Sequence, residues 1–262
     1  MRDALAVLAL ATLFHGAVLI PGSDASAQTT DTLRILAYNT HHGEGMDGVL
    51  DLDRIGRVIN SVAPDLVALQ EIDRFAERTG VVDQANEYGD LTGMTPLFGD
   101  FMDYQGGHYG MALLSRFPIL SSTNHRLPDG AEPRSALAAT VRMPNSGREV
   151  VFSGIHFYRT EEERLAQAEA LRDALSDEEG IVILAGDFNS LPGTPVMDLL
   201  AIDFTVVEKE GPSFTFPADA PEREIDFVLV RPTDSFRVLE HRVLDEDVAS
   251  DHRPIFLVLE FR

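Results

Sequence analysis

The chain has 262 residues, with 43 acidic against 21 basic side chains and a formal net charge of −22, a balance that repels polyanions and disfavours non-specific binding of long nucleic acid. It has no cysteine, which excludes disulfide frameworks, zinc–thiolate sites, thiol nucleophiles and a lipid-modified N-terminal cysteine. A chain of this length can bury a sufficient core without cross-links.

Residues 1–27 read as a secretory signal peptide. Arg2 gives a basic start, residues 4–14 and 17–20 an apolar run, and Ala25-Ser26-Ala27 a small-residue cleavage site before Gln28. His15 and Gly16 interrupt the run, which falls short of the roughly 20 residues that a spanning helix needs. The mature chain, residues 28–262, is expected to be one domain without a transmembrane segment, secreted or periplasmic.

Residues 33–39 predict a strand ending in Asn39, followed by a glycine-rich loop over 43–48. Residues 51–60 place Leu52, Ile55, Val58 and Ile59 on one helical face, and Pro64 marks the end of that segment. A buried strand over 66–71 runs into Glu71. A helix over 83–94 and a strand over 95–103 are expected next. Strands are then predicted over 111–115, 119–127, 136–143 and 149–157, separated by Pro118, Pro128-Asp129-Gly130 and Pro144-Asn145-Ser146-Gly147, with His156 near the end of the last. Thr160 and Glu163 have the spacing of a capping box, opening a helix that buries Leu165, Ala168, Leu171 and Leu175.

The apolar run Ile181-Val182-Ile183-Leu184-Ala185 enters Gly186-Asp187-Phe188-Asn189. A doubly buried strand reads this way, and its C-terminal end is where open α/β sheets place ligands. Asp187 and Asn189 thus either sit at a pocket rim or close the strand in an Asx turn, and the stretch alone does not separate the two. A short helix with Thr194 at N-cap and Pro195 at N1 follows. Strands are expected over 224–230, 235–243 and 255–261, the last preceded by Ser250-Asp251-His252-Arg253-Pro254.

The polar residues at strand ends are Asn39, Glu71, His156, Asp187, Asn189, Asp226, Asp251 and His252. An oxygen-rich set without thiols suits a hard cation, Mg²⁺ or Mn²⁺. The histidines add acid/base capacity near neutral pH, which points to metal-assisted hydrolysis. His41 and His42 are read as solvated loop residues, with contact to substrate or metal as the lesser alternative. His108, His125 and His241 are read as structural or exposed. Asp47, Asp51 and Asp53 are expected to serve turns and a cap, and Tyr104 and the 214–216 loop to pack at the core or rim.

In order, Tyr38-Asn39, Leu69-Gln70-Glu71-Ile72, Tyr109-Gly110, Leu114-Ser115-Arg116-Phe117-Pro118, Ile155-His156, Gly186-Asp187-Phe188-Asn189, Ile225-Asp226 and Ser250-Asp251-His252-Arg253-Pro254 resemble the motifs of the endonuclease/exonuclease/phosphatase superfamily. The resemblance implies a DNase-like four-layer α/β sandwich, two packed mixed β-sheets flanked by helices, with the site at one end. It implies Glu71 as principal metal ligand with Asn39 and Asp251 nearby, and Asp187 with Asn189 positioning the attacking water. It further implies His252 on the phosphate with its tautomer held by Asp226, His156 as phosphate contact or leaving-group acid, and Arg134 as a phosphate-binding arginine. His41 stands where some nucleases of the family carry a further acid.

The function expected is a secreted metal-dependent phosphoesterase acting on a small-molecule or lipid-linked phosphodiester. An extracellular nuclease, using an arginine cluster of Arg134, Arg116 and Arg159, is the alternative. A non-catalytic binding module on the same scaffold ranks last.

Overall fold

A computed structural model describes residues 31–261; the expected signal peptide lies outside the described residues. One sheet contains β1 (Asp31–Asn39), β2 (Leu66–Arg74), β3 (Thr95–Tyr104), β4 (Gly107–Ser115), β11 (Phe236–Val243) and β12 (Ile255–Phe261), in the order β11-β12-β1-β2-β4-β3. The other contains β5 (Ile119–Arg126), β6 (Ser135–Arg142), β7 (Glu149–His156), β8 (Ile181–Asp187), β9 (Thr205–Val206) and β10 (Asp226–Arg231), in the order β5-β6-β7-β8-β10-β9. Each sheet is mixed, with one parallel pair, β1 with β2 and β7 with β8. A parallel pair needs a crossover, and the helices α1 (Leu52–Ser61) and α3 (Glu161–Ala174) supply one each.

The period-2 alternation of strands splits the apolar residues between two interfaces. Leu33, Ile35 and Ala37 of β1 face the opposing sheet and meet Phe152, Ile183 and Val228. Leu36 and Tyr38 face the other way, onto Ile55 and Ile59 of α1 and Tyr88 of α2 (Gln84–Thr92). On the far side Val182 and Leu184 pack against Ala168 and Leu171 of α3 and Val196 of α4 (Pro195–Leu200). The result is the expected four-layer sandwich. Among the described residues no helix is long and apolar enough to cross a membrane.

Local expectations divide. Asp51 caps α1, its side chain accepting from the Arg54 N–H at 2.8 Å, and Asp83 caps α2 in the same way. The capping box at Thr160 does not form: its hydroxyl donates to the Glu163 carboxylate, and Glu163 accepts from the Ala131 N–H at 2.6 Å instead. Glu163 therefore ties the loop before β6 to α3 rather than closing the helix on itself. The strand expected from 224 begins at Asp226, and that expected from 235 begins at Phe236 after a single turn of 3₁₀ helix.

Candidate active site

Strand register brings together residues that are far apart in sequence. In the parallel β7–β8 pair His156 lies beside Asp187, and in the antiparallel β8–β10 pair Asp187 lies beside Asp226. Three titratable groups thus stand in a row across three strands. Gly186, with φ +144°, precedes Asp187 in space that admits no side chain: a Cβ would lie 2.1 Å from the Ile155 carbonyl oxygen. Asn189 N–H donates to Asp187 Oδ1 at 2.8 Å. The Asx turn is therefore real, and it leaves Asp187 Oδ2 facing His156 Nε2 at 3.6 Å and His252 Nε2 at 3.8 Å. The two readings of this stretch turn out to be compatible.

His252 Nδ1 bonds Asp226 Oδ2 at 2.9 Å, and the same oxygen accepts from the buried Thr215 hydroxyl at 2.5 Å. Phe216 covers the His252 ring, centroids 4.8 Å apart. Burial pulls the His252 imidazole down, but Asp226, with Asp187 and Asp251 behind it, overrides this and raises it to about 10. Asp187 is pushed up to about 7 by burial, with Asp226 adding and the His252 charge opposing. Burial and the positive charges of Arg134 and His252 hold His156 well below its usual range, and so neutral.

The opposite wall comes from the other sheet. Glu71 is the extra residue of a β-bulge, where the register against β4 slips between Gln70 and Ile72, and its φ is +60°. Bulges re-aim side chains, and this one turns Glu71 toward Asn39. The Asn39 amide donates to Glu71 Oε1 and Asp187 Oδ2, both at 3.2 Å, joining the two walls. His41 and His42, each with φ +46°, are not solvated loop residues as expected. Only 13% of the His42 side chain is exposed, and burial together with the Arg78 charge pushes its imidazole down to about 4. One ring nitrogen from each and a Glu71 oxygen lie within 4.8 Å of one another.

Glu71, His156, Asp187, Asn189, Asp251, His252 and Arg134 all line one cavity of about 860 Å³, while Asn39 and Asp226 bond to its lining from behind. Arg134 is 4% exposed, paired with Glu132, its guanidinium 5.1 Å from the Phe101 ring. Its Nε is buried without a partner. The cluster expected of Arg134, Arg116 and Arg159 is corrected. Arg116 bonds the Pro64 carbonyl at 2.8 Å, at the end of β2 remote from Glu71, whereas Arg134 and Arg159 reach the cavity.

Sequence reasoning missed Arg78, Arg164 and Arg223, which also line the cavity, and Thr215. Arg78 is fixed by two bonds to buried Asp73, at 2.7 and 2.8 Å. A hydroxyl between two phenylalanines in a proline-rich loop was the only signal for Thr215. Tyr104 and Phe216 sit at the rim as expected. Asp47 pairs with Arg54 at 2.7 Å, and Asp53 lies in the first turn of α1. His108 pairs with Asp100 and Asp103, His125 is partly exposed on β5, and His241 is fully buried.

Comparison with known proteins gives concordant results. The profile of the Endonuclease/Exonuclease/phosphatase family matches residues 36–252. The uncharacterized protein YbhP of Escherichia coli (strain K12) is 25% identical over 240 residues, covering 86% of this chain and 94% of YbhP. Among solved structures, a functionally unknown conserved protein of Enterococcus faecalis V583 superposes with a TM-score of 0.76 at 20% identity, over 88% of this chain and all of that one. An endonuclease/exonuclease/phosphatase of Beutenbergia cavernae DSM 12333 does so with a TM-score of 0.71 at 25% identity, over 88% of this chain and 72% of that one.

Proposed function

Because the chain belongs to the endonuclease/exonuclease/phosphatase family, whose members are hydrolases and generally metal-dependent, we propose that it is a secreted, divalent-metal-dependent phosphoesterase acting on a small-molecule or lipid-linked phosphodiester. The observation that carries this reading is the position of Asp187. Its Oδ2 sits between two imidazoles in the cavity, accepts from the Asn189 side-chain amide at 3.3 Å and is joined through Asn39 to Glu71.

Glu71 and Asp251 line the cavity with carboxylate oxygens that suit a hard divalent cation such as Mg²⁺ or Mn²⁺, and Asn39 orients Glu71 from behind. A cation held there supplies Lewis-acid polarisation of a phosphoryl oxygen. Asp187, raised to about 7, is poised to orient the attacking water and take its proton, a contribution of about 10²–10⁴ in rate. Asn189 fixes that carboxylate through its backbone N–H and holds the turn by donating to the Phe157 carbonyl at 3.0 Å. His252, an imidazolium kept in one orientation by Asp226, donates to the phosphate. Neutral His156 suits a hydrogen-bond contact with the phosphate rather than proton delivery to the leaving group. Arg134 adds positive charge on the same wall.

Two features favour a small anionic ester. Among the described residues lining the cavity, Arg78, Arg134, Arg159, Arg164 and Arg223 match the carboxylates in number, in a chain where acids outnumber bases two to one. Its volume is that of a small-molecule site, about 300–1,000 Å³. Leu191, 46% exposed, and Phe216 give its rim an apolar part for an organic or lipid leaving group.

The test is a panel assay of protein 28–262 with Mg²⁺, Mn²⁺ or EDTA, against bis-aryl and mono-aryl phosphates, sphingomyelin and DNA. Hydrolysis of a diester that EDTA abolishes is expected. Full activity in both Glu71→Ala and His252→Ala would refute the site. Preferential cleavage of DNA would favour the nuclease alternative, against which the net charge of −22 weighs.

A further inference from the structure

We propose that His41, His42 and Glu71 together form a nitrogen-containing cation site that selects a first-row transition ion, such as Mn²⁺, over Mg²⁺. This rests on the phosphoesterase reading only in taking Glu71 as a cation ligand. It departs from that reading by bringing two imidazoles into the coordination sphere.

The donors already converge: two ring nitrogens and a carboxylate oxygen lie within 4.8 Å of one another on the cavity wall. His41 Nδ1 is 3.1 Å from the Glu44 carbonyl oxygen. A carbonyl only accepts, so this nitrogen carries the proton and Nε2 presents its lone pair, the arrangement by which a ligating histidine is oriented from behind. His42 Nδ1 is buried with no hydrogen-bond partner, and a buried polar atom left unsatisfied costs about 1–3 kcal/mol. The His42 Nε2 nearest a charge is 3.7 Å from Glu44 Oε2, beyond hydrogen-bond range. His41 is thus held by the fold and its ring meets that of His42 edge to face, centroids 4.6 Å apart, whereas His42 Nδ1 has no partner that would account for its burial.

The backbone around the donors is held rather than merely permitted. His41, His42 and Glu71 all have left-handed φ, which costs a residue with a side chain about 1–3 kcal/mol and persists only where the surroundings over-determine it. Gln84 of α2 does this from behind: its amide donates to the His42 carbonyl at 2.6 Å and its Oε1 accepts from the Asp73 N–H at 2.8 Å. One buried side chain therefore locks the histidine turn to the strand two residues beyond Glu71. Asn39 contributes from below, accepting from the His41 N–H at 3.2 Å while donating to Glu71. Imidazole is a better ligand for first-row transition ions, Mn²⁺ being the weakest binder among them, than for Mg²⁺, which favours an all-oxygen octahedron and sheds its waters reluctantly.

The experiment is pulsed electron paramagnetic resonance of metal-stripped protein 28–262 loaded with Mn²⁺, with calorimetric titration of Mn²⁺ and Mg²⁺. Imidazole ¹⁴N coupling is expected in the wild type, and Mn²⁺ binding tighter than Mg²⁺. In a His41→Asn/His42→Asn double variant, checked for folding by circular dichroism, the coupling should vanish. Mn²⁺ affinity should fall by at least about 10-fold, since loss of outer-shell partners alone costs about 10–100-fold, while Mg²⁺ affinity changes little. Should the double variant not fold, the single variants His41→Asn and His42→Asn assign the coupling, since His156 and His252 also line the cavity. Mn²⁺ bound without nitrogen coupling, coupling that persists in the variant, tighter binding of Mg²⁺, or no binding overturns the proposal. Diester turnover with an oxygen-only spectrum refutes this site and leaves the esterase; nitrogen coupling without any turnover does the reverse.

Discussion

The two walls of the cavity differ in what holds their charged side chains. On the Asp187 wall the carboxylates are answered: Asp226 accepts from His252 and Thr215, and Asp187 accepts from Asn39 and the Asn189 N–H, while His156 Nδ1 and Arg134 Nε are buried without a partner. Its geometry follows from strand register, with one left-handed side-chain-bearing residue, Asn189 at φ +49°, in the turn after β8. On the Glu71 wall three residues hold left-handed φ, and the His42 Nδ1 is buried without a partner. The carboxylates of the first wall are satisfied as the chain folds. The second holds three strained residues around the donors of the proposed cation site, so on that proposal proton handling and cation binding fall to different sheets.

The strongest way to break that separation is to remove one carboxyl charge from each wall. Glu71→Gln and Asp187→Asn should each lower kcat/KM for the preferred ester by about 10³-fold or more, as loss of a cation ligand or of a positioned base does. Calorimetry should then tell them apart. Glu71→Gln is expected to lose Mn²⁺ binding and Asp187→Asn to retain it within a few-fold. Loss of the cation in both would mean that the walls act as one site.

Stability offers a second reading of the same division. A cation that binds only the folded chain stabilises it by about 2.7 kcal/mol at 100 times its Kd, or about 5–10 °C in Tm for a chain of this size. Saturating Mn²⁺ should raise the Tm of the wild type and Asp187→Asn by that amount, and leave Glu71→Gln unmoved. Smaller again is Thr215→Val, which removes one donor to the buried Asp226 carboxylate. Hydrogen bonds to charged groups are worth about 1.5–3 kcal/mol, so chemical denaturation should show a loss at the low end of that range. Cation affinity should be unchanged, because Thr215 bonds Asp226 on the wall opposite Glu71.

The sequence reveals the two walls unequally, for a physical reason. Strands buried on both faces leave continuous apolar runs, and a polar residue ending such a run is conspicuous, so Asn39, Glu71, His156 and Asp187 are readable from local pattern. Register is then fixed by which face must be buried, but which strands lie side by side, and with it the row His156, Asp187 and Asp226, is decided by the fold. What periodicity does not encode is the backbone departure. Nothing in His41-His42 announces left-handed φ, and a bulge at Glu71 looks like one more strand residue. The cavity arginines fail for another reason. Arg116 and Arg78 look equally plausible as charges after a strand, yet one lies at the wrong end of the sheet and the other is drawn inward by Asp73, a partner whose burial only the fold decides.

A third histidine sharpens the comparison, because it isolates burial from charge. His241 on β11 is fully buried, like His252 nearly so, but it faces the Glu208 carbonyl at 3.1 Å and the charge of Lys209, the chain's single lysine, rather than a carboxylate. Burial, with Lys209 adding, pushes it down to about 3, whereas Asp226 lifts His252 to about 10. The unfolded chain takes up a proton at His241 below about 6.5, while the folded chain does so only near 3. Across that window the unfolded state binds more protons, so the contribution of His241 to stability falls as the pH falls. Between pH 7 and pH 5.5 the wild type should lose about 1 kcal/mol relative to His241→Gln, which cannot titrate. The same pair measured between pH 7 and pH 8, where His241 is neutral in both states, should show no change in the difference. A difference that stays constant down to pH 5.5 would mean that the imidazole finds an acceptor for its charge inside the fold, and that burial alone is not what distinguishes it from His252.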